Sequence, residues 1–309
     1  MGFSSHDALI NEMTVNNRFL RTDVNKLIST AQVAGSWHDL GPALTGFPFG
    51  DSTATNNYAG TSLTFVATDD TSAGAIPHGG NVSALTKHIV NVMATVGPAA
   101  AGAPWVLMCV DQLGYIRIQG ASSADVTGTG LRTVTMTALG GGARYATGAG
   151  CRAYISTLVA PTLGGPNIST FTYTNQAGTT GKTMPVTVSM AATPVISQIP
   201  HTGNAANRYG PFLPLASGDT GISDIESFTF SGGTAYGGTS SVLVMHLVKP
   251  LFAMPILASG VASERDLVNQ LPSLPRVVDG AHLKFLLFAT GATTANSPFV
   301  ASLDFAWGG

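Results

Sequence analysis

Apolar residues in the first thirty positions fall at Leu9, Ile10, Met13, Phe19, Leu20, Val24, Leu27 and Ile28. The 9–13–20–24–27 spacing draws one stripe down a helix, because residues three, four and seven apart share a helical face. Asp7, Glu12, Arg18, Arg21, Asp23 and Lys26 then face away from it. Ser5 or Asp7 supplies an N-cap, and Asn16-Asn17 interrupts the stripe, so the segment reads as one amphipathic helix or two shorter ones. An N-terminal helical arm over residues 1–35 is the expectation. Its stripe must be buried, either on the chain's own body or on a neighbouring subunit. The second reading makes Leu9, Met13, Phe19, Leu20, Val24 and Leu27 a subunit interface.

From about Trp37 the period changes from helical to alternating, in short β-type runs separated by Gly, Pro, Asn and Asp. Strands are expected at 62–67, 87–94, 105–110, 115–119, 131–139, 151–159, 168–174, 185–190, 227–230, 242–248, 283–289 and 299–307. Alternation is clearest at 299–307, where Phe299, Ala301, Leu303, Phe305 and Trp307 share one face. Asp111-Gln-Leu-Gly114, between two apolar runs, reads as a hairpin turn. A short helix is expected at 264–270, with Ser263 as cap and Pro272 as stop. Many strands with little helix between them exclude βαβ units. They predict a mainly β chain: an antiparallel β-sandwich or jelly-roll-like body over 36–309, possessing one core or two β subdomains divided at the Gly-Gly-Pro of 164–166.

Composition changes this picture in one respect. Only 10% of the 309 residues are charged and mean hydropathy is +0.27, against about 25% charge in an ordinary soluble domain. A surface that poor in charge suits a homo-oligomer whose faces are covered by other subunits. Membrane insertion is not expected, since no stretch approaches the ~18 apolar residues of a spanning helix, and the first residues lack the pattern of a signal peptide. A net charge of −2 gives no basic field for nucleic acid. Cys109 and Cys151 read as small buried hydrophobes.

No constellation carries chemistry. The chain has no G-x-S-x-G elbow, no H-E-x-x-H and no C-x-x-C, so no catalytic, cofactor-binding or metal-ligating residue is assigned and no enzyme is expected. Gly140-Gly-Gly-Ala-Arg144 lacks the Lys-Ser/Thr end of a phosphate loop and reads as a connector. His78, His88 and His246 are too scattered for a metal site and read as hydrogen-bonded structural residues. Asp69-Asp70 and Asp219 have the oxygens for Ca²⁺, but each also fits a turn in which Asp bonds local backbone, and that reading is preferred.

Four phrases carry a resemblance: Phe171-Thr-Tyr-Thr-Asn-Gln-Ala-Gly178, Phe212-Leu-Pro-Leu-Ala-Ser-Gly-Asp-Thr-Gly221, Ile225-Glu-Ser-Phe-Thr-Phe230, and the strand ending Lys249-Pro-Leu251. Over about residues 151–251 the chain resembles structural proteins of tailed-bacteriophage virions. The resemblance implies a capsid-associated protein of the decoration, cement or minor-head type. Its partners would be copies of itself and other capsid or neck proteins, and its location the virion. The alternative is a tail fibre, spike or tail-connector component that binds a host surface glycan or receptor. That role needs exposed loop aromatics, for which Trp37, Tyr58, Tyr209 and Tyr236 are the candidates.

Overall fold

The computed structural model describes residues 3–43, 62–97, 103–119, 131–135, 144–160, 164–202, 210–231, 242–271 and 273–308. Strand makes up 50% of them and helix 6%, as the alternating pattern predicts. The first sheet runs β1 (Phe19–Ile28), β17 (Ser297–Gly308), β5 (Thr86–Val96) and β14 (Ser263–Asp266), with β15 (Arg276–Val277) also on β5. The second runs β2 (Ser36–Asp39), β16 (Leu283–Ala289), β6 (Trp105–Gln119), β13 (Val242–Ile256) and β8 (Arg152–Val159), with β4 (Val66–Ala67) on β6. The third runs β10 (Lys182–Thr183), β9 (Asn167–Asn175), β12 (Ile222–Ser231), β7 (Leu131–Thr135) and β3 (Ser62–Thr64), with β11 (Val188–Ser189) on β9. Among these ladders only β3–β7 is parallel.

The second sheet is shared by two sandwiches. Its long strands β6 and β13 pair along their length, from Val242↔Gln119 to Ile256↔Trp105. At one end Trp105, Leu107, Cys109, Phe252, Met254 and Ile256 pack on the first sheet, against Phe299, Ala301, Leu303 and Phe305. At the other end Ile116, Ile118, Leu243, Met245 and Leu247 pack on the third sheet, against Phe171, Tyr173, Phe228 and Phe230. Residues 164–166 join β8 of the second sheet to β9 of the third. Pro250 and Pro255 sit in β13 beyond Val248, where the ladder with β8 has ended, so no donor is needed from them on the β8 side.

The N-terminal segment differs from the expected helix in its second half. Helix α1 covers His6–Thr14, with the Ser5 hydroxyl accepting from Ala8 N. It ends at the Asn pair: Asn16 Nδ2 donates to Glu12 at 2.8 Å and Asn17 takes a φ of +56°. Residues 19–28 are then a strand. Leu20, Val24 and Ile28 satisfy helical spacing and strand alternation alike, and the ten-residue ladder with β17, from Phe19↔Ala306 to Ile28↔Ser297, decides between them. A partner at the far end of the chain is invisible to local periodicity.

Two further expectations are corrected. The 111–114 segment is no hairpin but the middle of β6, where Leu247↔Gly114 and Val248↔Gln112 leave Leu113 as the extra residue of a β-bulge. Gly114 is there for close approach rather than for turning: a Cβ would lie 2.4 Å from both the Phe65 ring and the Val66 carbonyl. The 264–270 helix is replaced by β14, paired with β5 from Ser263↔Ala94 to Asp266↔Asn91. Only a 3-10 turn, Val268–Gln270, follows it. The Asp266 carboxylate accepts from Val268 N at 2.8 Å, a local bond that competes with a helical start.

Candidate functional site

Polar side chains cluster on the face of the second sheet that turns away from the first. Alternation puts them there: Leu283, Phe285 and Leu287 enter the core beneath, so Lys284 and Leu286 point to the opposite side, with Val110, Tyr154 and Val248. Ile199, Phe212 and Trp37 cover that side. β2 contributes Asp39, β6 Gln112, β8 Tyr154 and Ser156, β13 His246 and β16 Lys284.

The contacts form one connected network. Lys284 Nζ donates to Asp39 Oδ2 at 2.5 Å and to Gln112 Oε1 at 2.8 Å. The Tyr154 hydroxyl donates to the same Oδ2 at 2.7 Å. His246 places Nδ1 2.9 Å from Gln112 Oε1 and Nε2 2.8 Å from Ser156 Oγ. Its ring stacks on Tyr154, centroids 4.5 Å apart. All six side chains are buried. Burial, then the Lys284 charge, holds the His246 imidazole well below its ordinary range. Burial lowers the Lys284 ammonium against the opposing pull of Asp39, and raises the Tyr154 phenol, with Asp39 adding to the effect.

Ser156, His246 and Asp39 do not make a hydrolytic triad. A triad places serine and carboxylate on opposite imidazole nitrogens. Here Nε2 faces both Ser156 Oγ, at 2.8 Å, and Asp39 Oδ2, at 3.5 Å, while Nδ1 faces an amide oxygen. All six side chains are buried and bond to one another.

A second buried pair lies nearby. Arg144 sits 3.3 Å from Asp111, and its guanidinium also donates to the carbonyls of Gly280, Thr68 and Gln112. The arginine of the glycine run is thus committed to internal oxygens, while residues 140–143 lie outside the described ones. Burial raises the Asp111 carboxyl, opposed by Arg144. His78 and His88 are internal and bonded: His78 Nε2 is 3.0 Å from the Ala281 carbonyl, and His88 Nδ1 3.4 Å from that of Leu274. Both cysteines are buried free thiols. Asp69 makes the expected turn, accepting from Thr71 N at 3.0 Å. Asp219 departs from it: its carboxylate instead takes the Tyr173 hydroxyl and the Asn175 amide, each at 2.7 Å.

The six stripe residues divide. Leu9 and Val24 are buried in the chain's own core, with Met13 and Leu20 packed against it. Phe19 and Leu27, on the other face of β1, are exposed. Of the loop aromatics, Trp37 lies in β2 with its ring 5.5 Å from Phe288, while Tyr58, Tyr209 and Tyr236 lie outside the described residues. The sequence marks His246 as a hydrogen-bonded structural residue but does not show Lys284, Asp39 and Gln112 around it. The available signal was a lysine inside an apolar run, Leu283-Lys-Phe-Leu-Leu-Phe288.

No protein-family model matches the chain, and no curated protein does. Among solved structures, the chain is similar to one from the "Structure of infectious bursal disease virus Gt strain", at 11% identity over 94% of this chain and 80% of that one, with a TM-score of 0.19. A score that low carries no argument about fold or function.

Proposed function

We propose that this chain is a structural subunit of a virus particle: a capsid-associated protein of a tailed bacteriophage, of the decoration, cement or minor-head type. It works by packing against copies of itself and against neighbouring virion proteins, and it turns over no substrate. The observation that carries the reading is where apolar surface is left over. Ile10, Val15, Phe19 and Leu27, all in the N-terminal segment, are 56%, 73%, 38% and 43% exposed. They make up half of the eight exposed large hydrophobics among the described residues. With 10% charge overall, this segment is the best candidate for a covered face, since obligate interfaces are apolar and large, about 2,000 Å² or more.

The sequence resemblance supports the same reading. The helical tether imagined from periodicity becomes a short helix and an edge strand, whose outward residues are available to a neighbour while the inward ones hold the segment in place. Sedimentation of the purified chain tests the packing mechanism. The expected result is an oligomer that shifts toward monomer when Ile10, Val15, Phe19 and Leu27 are all replaced by serine. A wild-type chain that sediments as a monodisperse monomer at micromolar concentration overturns it.

A further inference from the structure

Lys284 and Asp39 are placed as the two halves of an amide. In the β2–β16 ladder Asp39 stands opposite Leu286, so Lys284 lies one step along the same face of the adjacent strand. Its Nζ reaches Asp39 Oδ2 at 2.5 Å, closer than the ~2.7–2.9 Å of an ordinary charge-assisted N–H···O bond. The two side chains are 4% and 0% exposed, so solvent does not separate them. A dry ion pair bears a desolvation penalty that its own attraction only partly offsets. Moving one proton from ammonium to carboxylate removes both charges, leaving a neutral amine against a carboxylic acid at contact distance. Two reactants fixed in this way need no encounter step, and intramolecular reactions gain greatly from that.

The surrounding groups have the roles that condensation requires. Gly41 N, 2.9 Å from Asp39 Oδ1, donates to the oxygen on which charge develops when the carboxyl carbon is attacked, while the Tyr154 hydroxyl, 2.7 Å from Oδ2, donates to the oxygen that leaves. Gln112 Oε1, 2.8 Å from Nζ, accepts one amine hydrogen and so orients the nitrogen lone pair. The same Oε1 faces His246 Nδ1 at 2.9 Å, which puts the imidazole proton on Nδ1 and leaves Nε2 as an acceptor, 3.5 Å from Asp39 Oδ2. The Nε2 lone pair already accepts from Ser156 Oγ at 2.8 Å, so the amine proton passes directly to Oδ2, which lies 2.5 Å from Nζ.

We propose that Lys284 and Asp39 condense without any other protein or cofactor into an intramolecular isopeptide bond that staples β2 to β16. The Nζ lone pair forms a bond to Asp39 Cγ, and one carboxyl C–O bond breaks. Oδ2 leaves as water, carrying the carboxyl proton and one amine proton passed directly from Nζ, while Oδ1 stays as the amide carbonyl. The other amine hydrogen stays on the amide nitrogen. Nothing is oxidised or reduced, and no co-reactant is needed. The bond fixes a four-residue edge strand that backbone pairing alone would leave prone to fraying. It stands or falls independently of the virion reading.

The test is the intact mass of the purified full-length chain under denaturing conditions, with the initiator methionine accounted for. The expected mass is the sequence mass less one water. Proteolysis is then expected to yield a branched peptide joining the segment around Asp39 to that around Lys284, with no tryptic cleavage after Lys284. Asp39→Ala and Lys284→Arg chains are expected at full sequence mass, folded or not. A wild-type chain at full mass overturns the proposal and leaves a buried ion pair only. So does a missing water that maps to one linear peptide, as an imide at Asp279-Gly280 would, and so does an Asp39→Ala chain that still lacks it.

Discussion

Val24 stands opposite Ala301 in the ladder between β1 and β17, and the two side chains are 3% and 1% exposed. The N-terminal segment is therefore a part of the first sheet, closing over Phe305 and Leu303 and adding Leu9 of α1 to the same core. Removing it uncovers one side of β17 along ten paired residues. A chain lacking residues 1–30 is expected to lose cooperative melting. The fully buried Ile28, cut to alanine, is expected to lower stability by about 2–5 kcal/mol, as deletions of buried aliphatic groups do. Urea unfolding measures both, and a truncated chain that melts like the wild type contradicts the sheet assignment.

Gly114 faces a different constraint. Its φ is not left-handed; the difficulty is space, since the Phe65 ring and the Val66 carbonyl approach to 2.4 Å of where a Cβ would be. Gly114→Ala is expected to destabilise by about 1–3 kcal/mol, the usual cost of forcing extra atoms into a packed interior. Denaturant midpoints read this directly. An unchanged midpoint contradicts the bulge geometry, and a hairpin at this position would have tolerated the change.

Acid is expected to unfold the chain early. Burial holds His38 and His201 at about 4 and His282 at about 3, and His246 well below 6.5. In the unfolded chain these four take up protons as pH falls through about 6.5, while in the folded chain they stay neutral. The unfolded state then binds more protons, so stability is complete above about 6.5 and declines as pH falls toward 4. The slope is at most about 1.4 kcal/mol per pH unit for each histidine. Thermal melting across pH 8 to 4.5 should be level at first and then fall. A melting temperature that holds constant from pH 7 to 5 contradicts neutral burial.

What the sequence made legible follows the range of the interactions. Phe299, Ala301, Leu303 and Phe305 read correctly as one buried face because alternation is a local property of the strand. Leu20, Val24 and Ile28 fit two periods, and only β17 chooses between them. Gln112 and Gly114 looked like turn residues, since polarity and glycine between apolar runs mark turns more often than a bulge inside a long strand. The network around Lys284 was hidden for a further reason. Its six members come from five strands, so each looked like an isolated polar residue, and only the sheet order puts Asp39 beside Lys284.

The most direct test of the virion proposal is quantitative mass spectrometry of virus particles purified from a culture that expresses the gene for this chain. The expected result is the chain present in many copies per particle, at a ratio to the major shell protein set by the particle's symmetry. It should fall sharply when Ile10, Val15, Phe19 and Leu27 are replaced by serine in a chain that still folds. Particles that carry none of it, while the chain accumulates in infected cells, would contradict the account.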